Sequence, residues 1–286
     1  MKEITLEELL EAGCHFGHQI IRSNPKARDF VFESRDNIQI IDLGKTKEGL
    51  DEAAAYVKEL AQKGGSLLVV GTKRQAQQIV EEEVKRIKHA ENNIFYVTKR
   101  WVGGILTNTL EISKNIKKLK DITVMLTDAS EKAKYTKKEL GLFEKEKNRL
   151  ESLYSGISEM SKAPNALFIV DSHMEHLAVK EAIRMRVPAV AIVDTNSNPQ
   201  IIDYPIPAND DAVGSIKLIV TYIINAWEEG RKKYQEDSEK LRAKSEKEKT
   251  AMELKEKSFV AEVKDDKKVA EVKEKKVKTI KTKAKK

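Results

Sequence analysis

Charged side chains that could bind a ligand follow three apolar runs of the sequence. Lys73 and Arg74 come after SLLVVG, Asp171 comes after ALFIV, and Asp194 comes after AVAIV. If the runs are parallel strands, their carboxyl ends share the edge of the sheet where ligands bind. Two carboxylates there could hold Mg²⁺ for phosphoryl transfer, or each could cap the next turn. The chain contains neither a Gly-x-x-x-x-Gly-Lys-Ser/Thr loop nor a Gly-x-Gly-x-x-Gly fingerprint, so capping is favoured.

Four of the histidines form two pairs with His-x-x-His spacing, His15 with His18 and His173 with His176. This spacing can place two imidazoles on one face of a helix, where zinc could bind. In the first pair, Gly17 lowers the helix propensity of the segment that would have to be helical. The second pair has no visible third ligand in the sequence. Structural roles are therefore favoured, and metal binding is left open.

Two further segments have the composition of an RNA-binding surface. In Lys99–Gly104 (KRWVGG), Arg100 could grip phosphate and Trp101 could stack on a base, or Trp101 could simply plug into the core. The segment Gly13–Arg35 is predicted to be an irregular basic leader. Phe16, Phe30 and Phe32 could anchor it on the sheet domain while its basic groups face RNA, or those basic groups could be ordinary surface charges.

The elements that would position these residues alternate between strand and helix patterns. Strands are predicted at Ile38–Asp42, Ser66–Gly71, Asn93–Val97, Ala166–Asp171 and Ala189–Asp194, with a weaker edge strand at Ile201–Ile206. Helices are predicted at Thr46–Lys63, Lys73–His89, Met174–Met185 and Asp210–Gly230. Such alternation is typical of an α/β domain with a doubly wound parallel sheet.

The alternation is interrupted once, between Val97 and Ala166. Apolar residues there recur at spacings of three and four on both sides of a break near Leu126–Tyr135. Two narrow apolar stripes joined by a turn predict an inserted antiparallel helical hairpin with Lys-rich outer faces. The predicted organisation is a leader (1–37), a sheet domain (38–98 and 163–230), the hairpin (99–162) and a Lys/Glu-rich disordered tail (231–286).

Charge is distributed unevenly along the 286 residues, whose net charge is +7. The tail carries 21 basic and 12 acidic residues and the hairpin 14 and 9, whereas the remainder carries 18 and 25. This asymmetry favours a polyanionic partner. The stretch 164–230, with nine acidic and four basic residues, is expected to face a basic protein or solvent and not RNA. The single cysteine, Cys14, predicts a reducing, cytoplasmic compartment, and the lack of a long uncharged apolar run predicts no membrane span.

Several longer motifs closely resemble the second protein of the bacterial small ribosomal subunit. They are HFGHQ (15–19), NPK (24–26), IIDLGKT (40–46), VGTKRQA (70–76), RWVGGILTN (100–108), YTKKE (135–139), PNALFIVD (164–171), VPAVAIVDTNSNP (187–199) and IPANDDA (206–212). They occur in the family's order and cover roughly residues 5–230.

The resemblance implies a flavodoxin-like sheet domain with an inserted coiled-coil hairpin, without catalysis or cofactor. It implies a cytoplasmic protein that binds small-subunit rRNA and helps dock the large mRNA-binding ribosomal protein near the mRNA exit, among neighbouring ribosomal proteins. It implies no membrane and no small-molecule substrate. RNA-contact candidates on matched positions are His15, His18, Asn24, Lys26, Lys73, Arg74, Arg100, Trp101 and Asn108. The rival functions are a Mg²⁺-dependent enzyme that uses Asp171 and Asp194, and a free RNA-binding regulator.

Overall fold

The computed structural model describes residues 4–87, 93–160 and 162–238. Its helices are α1 (Leu6–Glu11), α2 (Leu43–Gln62), α3 (Arg74–Ile87), α4 (Thr109–Thr127), α5 (Ala129–Lys132), α6 (Lys137–Tyr154), α7 (His176–Met185) and α8 (213–238). Its strands are β1 (Phe16–Gln19), β2 (Val31–Arg35), β3 (Ile38–Ile41), β4 (Leu67–Val70), β5 (Ile94–Val97), β6 (Ala166–Ile169), β7 (Ala189–Val193) and β8 (Tyr204–Pro207). None of the described helices is long and apolar enough to cross a membrane.

Five strands form a parallel sheet in the order β5-β4-β6-β7-β8. Every residue of β4, β5, β6 and β7 is buried, which explains why these strands are continuous apolar runs. Numbered along the chain, the strands have the order 2-1-3-4-5, which is one of the common orders of doubly wound sheets. The prediction of an α/β fold built on a parallel sheet is therefore confirmed.

The edge of this sheet is β8, as the weak strand signal and Pro205 predicted. Proline cannot donate to a neighbouring strand, so it is tolerated where one side of the strand is unpaired. Helix α2 packs so closely on β8 that a Cβ added at Gly49 would lie 2.6 Å from the carbonyl oxygen of Pro205. Only glycine allows this approach of helix to strand.

The parallel sheet has a hydrophobic core on each face. Along β4, Leu67 and Val69 face the core that contains Trp227 of α8, whereas Leu68 and Val70 face the core that contains Trp101. This follows from the two-residue period of a strand. The second core also includes the buried residues of α4 and α6, so the hairpin begins as part of the domain interior.

The first predicted strand, Ile38–Asp42, does not join the parallel sheet. It is β3, the central strand of a separate antiparallel sheet with the order β1-β3-β2. Asp36 and Asn37, with φ of 49° and 65°, form the two-residue turn between β2 and β3. Two successive positive φ values are those of a type I′ hairpin turn, which Asn and Asp tolerate.

The expectation of an irregular leader over Gly13–Arg35 is therefore wrong, because β1 and β2 lie in it. The expected anchoring phenylalanines also differ: Phe16 and Phe32 are exposed. The leader is held instead by backbone and polar contacts, such as the bond from Asn24 N to Thr195 O at 2.8 Å.

Helices α4 and α6 run antiparallel and pack against each other. Asn115 Nδ2 lies 3.4 Å from the hydroxyl of Tyr154, and Lys118 Nζ lies 3.0 Å from Glu146 Oε1. Residue numbers therefore increase along α4 in the direction in which they decrease along α6. The stripe of buried residues on α4 is Ile112, Ile116, Leu119, Ile122 and Leu126. Between the two helices, Asp128 caps the short helix α5 at the predicted interruption.

The chain divides into two units, Met1–Tyr234 and Gln235–Lys286. Residues 231–238, the start of the predicted disordered tail, are helical. The rest of that predicted tail, 239–286, lies outside the described residues.

Candidate nucleic-acid interface

Strand-end residues of the parallel sheet converge into an ionic cluster, here called the strand-end cluster: His18, Lys73, Asp171, Asp194, Asp210 and Asp211. The Nζ atom of Lys73 lies 2.7 Å from Asp210 Oδ1 and 2.7 Å from Asp211 Oδ1. It also lies 3.3 Å from Asp171 Oδ2. The sheet topology explains this meeting, because β4, β6 and β7 end at one edge and the loop after β8 returns across it.

His18 enters the strand-end cluster from the small antiparallel sheet. Its Nδ1 lies 3.1 Å from Asp194 Oδ1, and its Nε2 lies 3.5 Å from Asp211 Oδ2. Its backbone N–H donates to Thr195 Oγ1 at 2.9 Å. A Cβ added at Gly17 would lie 2.6 Å from Thr195 Cγ2, so glycine is needed for this approach of β1 to the domain.

The cluster changes the pKa values of its members. Burial raises the pKa of Asp210 to about 7, helped by the charges of Asp171 and Asp194 and opposed by Lys73. The hydrogen bond to Asp194 raises the pKa of His18. Burial disfavours the charged form of Lys73 and acts to lower its pKa. The bonds to Asp210 and Asp211 outweigh burial, so the pKa of Lys73 is raised.

The donor atoms of His18, Asp194 and Asp210 lie within 4.8 Å of one another, so they could hold a metal ion. One imidazole and two carboxylates suit a divalent cation such as zinc. Asp210 Oδ2 is buried and has no hydrogen-bond partner in the described part of the chain. The other histidine pair, His173 and His176, is exposed and lies outside this donor set.

The two carboxylates that an enzyme would use are occupied as backbone acceptors. Asp171 accepts hydrogen bonds from the N–H groups of His173 at 2.9 Å and Met174 at 2.8 Å. Asp194 accepts from Thr195 N and, at 3.4 Å, from Asp210 N. These contacts fit the capping alternative for both residues.

A second cluster fixes the segment 101–107 at the base of the hairpin. The carboxylate of Glu181 on α7 accepts hydrogen bonds from Trp101 Nε1 at 3.1 Å, Gly104 N at 2.8 Å and Leu106 N at 3.1 Å. It also accepts from Thr107 N and Thr107 Oγ1. Burial acts to raise the pKa of Glu181, but these bonds outweigh burial and lower it. Trp101 is only 5% exposed and packs in the core at the hairpin base.

The remaining sequence candidates lie nearer the surface. Lys26, Arg74, Arg100 and Asn108 are exposed. The side chain of Asn24 accepts from Lys26 N at 3.0 Å and so caps a short 3-10 turn. The His15 ring contacts the Phe16 ring, with centroids 4.0 Å apart and planes tilted by 40°. The structure therefore brings His18 and Lys73 together and leaves the exposed cations spread over the surface.

The excess of acidic over basic residues in 164–230 does not give the charge of the surface that this stretch presents. This stretch has nine acidic and four basic residues. Five of the acids are buried, namely Asp171, Glu175, Glu181, Asp194 and Asp210. The four basic residues, Lys180, Arg184, Arg186 and Lys217, are all exposed. The other four acids, of which Asp203 and Asp211 are exposed, balance these four cations, so the surface of a region that counts as acidic carries charges of both signs.

Internally paired acids beneath exposed cations are typical of a scaffold that meets a polyanion. A family model described as ribosomal protein S2 matches residues 9–230. The small ribosomal subunit protein uS2 of Corynebacterium jeikeium (strain K411) is 46% identical over 233 residues, 81% of this chain and 82% of that protein. That of Solibacter usitatus (strain Ellin6076) is 46% identical over 231 residues, 81% of this chain and 75% of that protein.

The chain belongs to the ribosomal protein S2 family, as its motifs predicted. It is a structural, non-enzymatic protein of the small ribosomal subunit and acts in translation. This excludes the reading of Asp171 and Asp194 as a Mg²⁺-dependent catalytic pair.

Proposed function

We propose that this chain binds small-subunit rRNA through exposed cations on a flavodoxin-like platform with an inserted coiled-coil hairpin. The strand order 2-1-3-4-5 supports the flavodoxin-like reading, and the antiparallel packing of α4 and α6 supports the coiled coil. The observation that carries the proposal is the burial of Asp171, Asp194 and Asp210 at the strand ends while candidate cations such as Arg74 and Arg100 are exposed. Phosphate contacts of this kind supply most of the affinity for RNA.

The nine candidate residues divide into two roles in this proposal. Lys26, Arg74, Arg100 and Asn108 contact rRNA directly, because their side chains are exposed. The others, His15, His18, Asn24, Lys73 and Trp101, are partly or fully buried and act by holding the contacting segments in place. Lys73 and His18 do so by joining β1 to the sheet edge through Asp211, which both of them contact.

The second part of the proposal concerns protein partners. The chain helps dock the large mRNA-binding ribosomal protein near the mRNA exit, in the cytoplasm and among neighbouring small-subunit proteins. This part rests on the family resemblance alone. A pull-down with purified full-length chain tests it directly, and failure to retain the large protein would remove this part without affecting rRNA binding.

The rRNA part is tested by sucrose-gradient sedimentation of cell extracts that express tagged variants. We expect the double change Arg74→Ala and Arg100→Ala to lower the fraction of chain that sediments with small subunits, and the affinity gap from the unaltered chain to narrow as salt rises, because fewer phosphate contacts make binding less salt-dependent. The matched control is Lys63→Ala with Lys85→Ala, which removes the same charge from exposed lysines paired with Glu59 and Glu81. Equal occupancy of both double variants would contradict the assignment.

A free regulator would behave differently in the same gradient. It would remain near the top and would keep a specific transcript bound. Sedimentation of the unaltered chain away from small subunits would therefore favour that alternative.

A further inference from the structure

A cavity of about 360 Å³ lies where the hairpin meets the platform. We call it the hairpin-base pocket; its walls include Arg100, Val102, Arg149, Leu153, Tyr154 and Leu177. Its volume falls within the range of roughly 300–1,000 Å³ typical of ligand pockets. It lies on the hairpin side of the sheet, whereas the strand-end cluster lies at the carboxyl edge and shares none of these residues.

The pocket is preformed by packing and hydrogen bonds. Glu181 fixes the backbone of Gly104 and Leu106 on one side, and Trp101 donates to the same carboxylate. A Cβ added at Gly103 would lie 3.5 Å from Leu177 Cδ2, so the loop already contacts the first turn of α7. A ligand would therefore meet walls that need little ordering, which favours binding.

The floor of the pocket is apolar but open to solvent. Leu177 is 42% exposed although it stands beside the buried residues Leu150 and Tyr154. An apolar floor of this kind can hold a flat ring system, and its accessible surface is aliphatic, because Trp101 and Tyr154 are only 5% and 4% exposed.

The rim of the pocket is cationic. The pocket lining contains no carboxylate, and it includes the guanidinium groups of Arg100 and Arg149. Arg149 Nη2 makes one exposed contact, to Glu146 Oε1 at 3.2 Å, and exposed pairs of this kind are weak. The cations continue along α7, because Lys180 and Arg184 follow Leu177 by three and seven residues and are exposed.

We propose that the hairpin-base pocket receives one unpaired nucleotide of an RNA strand. Its base lies on the apolar floor, the neighbouring phosphates contact Arg100 and Arg149, and the strand continues along Lys180 and Arg184. This inference rests on the proposed rRNA-binding function and specifies its mode. An acidic peptide could also meet two arginines, but the cations extend about 10 Å further along α7, which suits a continuous polyanion.

Binding of a short unstructured oligouridylate to the purified full-length chain tests the pocket. Leu177→Glu places a carboxylate at the pocket floor, and Ile183→Glu places the same charge on the exposed face of α7, outside the pocket lining. We expect about tenfold weaker binding for Leu177→Glu, since the variant loses the apolar contact with the base and places a negative charge beside the phosphates. The effect of Ile183→Glu should stay near twofold, because only charge changes. Equal loss in both variants would overturn the inference.

Photocrosslinking in assembled small subunits tests the same idea in the native particle. With rRNA that carries 4-thiouridine, we expect crosslinked peptides from residues 99–104, 149–154 or 174–180. RNA crosslinks confined to other parts of the chain would overturn the pocket but leave the proposed function intact. Crosslinks from this pocket to a neighbouring protein would also overturn the inference, since they would show that a peptide and not a nucleotide occupies the pocket. A chain that neither sediments with small subunits nor crosslinks to RNA would remove the proposed function itself.

Discussion

At the scale of single residues, the main feature is that charged groups are buried in clusters with partners of opposite charge or with backbone donors. Asp210 is fully buried and tolerates this position because the ammonium group of Lys73 lies 2.7 Å from it. Removing one member of a buried ion pair leaves the other uncompensated, which costs far more than losing a surface pair. Adjacent basic residues can therefore have very different roles.

Lys73 and Arg74 provide a test of this difference. We expect Lys73→Ala to lower the free energy of unfolding by about 3 kcal/mol, because Asp171 and Asp210 lose their cation. Arg74→Ala removes the same charge from an exposed position and should change stability by less than about 0.5 kcal/mol. Urea unfolding followed by circular dichroism measures both variants. Similar stabilities would show that the Lys73 contacts contribute little.

Glu181 gives a prediction that depends on pH. Its pKa is lowered in the folded protein, so its charged form stabilises the fold at neutral pH, and this contribution is lost as pH falls through the folded pKa. We expect Glu181→Gln to cost about 2 kcal/mol at pH 7, because the carboxylate accepts several hydrogen bonds. The difference in the free energy of unfolding between Glu181→Gln and the unaltered chain should narrow as pH falls below 4.5, the ordinary pKa of a glutamate.

Urea unfolding at neutral and acidic pH checks this expectation. Glu144→Gln, at an exposed position of α6, serves as the control and should have little effect at either pH. If the difference in the free energy of unfolding between Glu181→Gln and the unaltered chain does not change with pH, Glu181 stabilises the fold through its shape and not through its charge.

At the scale of elements, sequence patterns predicted the buried strands well and the antiparallel sheet poorly. Runs such as LLVV and AVAIV are apolar along their whole length because both faces are covered, and this signal is strong. Residues 38–41 carry a similar signal, yet their partners β1 and β2 are mostly exposed and have no clear alternation. Pairing between exposed strands depends on the turn at Asp36 and Asn37, which periodicity does not report.

The junction between the hairpin and the platform provides an element-scale prediction. A Cβ added at Gly156 would lie 2.1 Å from Tyr96 O and 2.8 Å from the Tyr96 ring, so the 3-10 turn that follows α6 packs directly on β5. We expect Gly156→Ala to destabilise the protein by several kcal/mol or to displace the hairpin base. Gly141→Ala, within α6, adds a Cβ that meets nothing within 4 Å, and should be neutral or stabilising by up to about 1 kcal/mol.

Thermal unfolding of the two glycine variants distinguishes these effects. A fall in the melting temperature is expected for Gly156→Ala alone. Equal melting temperatures would indicate that the contact with Tyr96 relaxes at little cost.

The candidate site was less predictable than the fold, for a reason that also lies in the elements. Strand ends identified Lys73, Asp171 and Asp194 because a parallel sheet aligns them at one edge. Glu181 lies in the middle of α7, and its partners are 74 to 80 residues away in sequence. No local pattern marks a residue whose role depends entirely on the docking of a distant loop.

At the scale of the whole molecule, the sequence predicted a polyanionic partner but placed some of the charge incorrectly. The net charge of residues 164–230 suggested an acidic surface, whereas most of those acids are inside and the cations are outside. Net charge counts residues, but only exposed and unpaired charges attract a partner at a distance. Burial has to be known before the sign of a surface can be assigned.

The C-terminal residues give a whole-molecule prediction that rests on sequence. Residues 239–286 carry 18 basic and 10 acidic residues. We expect removal of this segment to leave the unfolding midpoint unchanged, because Met1–Tyr234 is a compact unit. Affinity for RNA should fall and should depend less steeply on salt. A chain that carries an uncharged Gly/Ser segment of equal length is the control, and should match the truncated chain in both assays.

The concealment of acids has a consequence for quality control during particle assembly. A copy that unfolds around β6, α7 and β7 would expose carboxylates such as Asp171, Glu181 and Asp194 next to its cations. Its attraction to RNA would weaken at the moment its shape is lost. The polyanion itself would then discriminate against damaged copies, since only an intact molecule hides the groups that repel it.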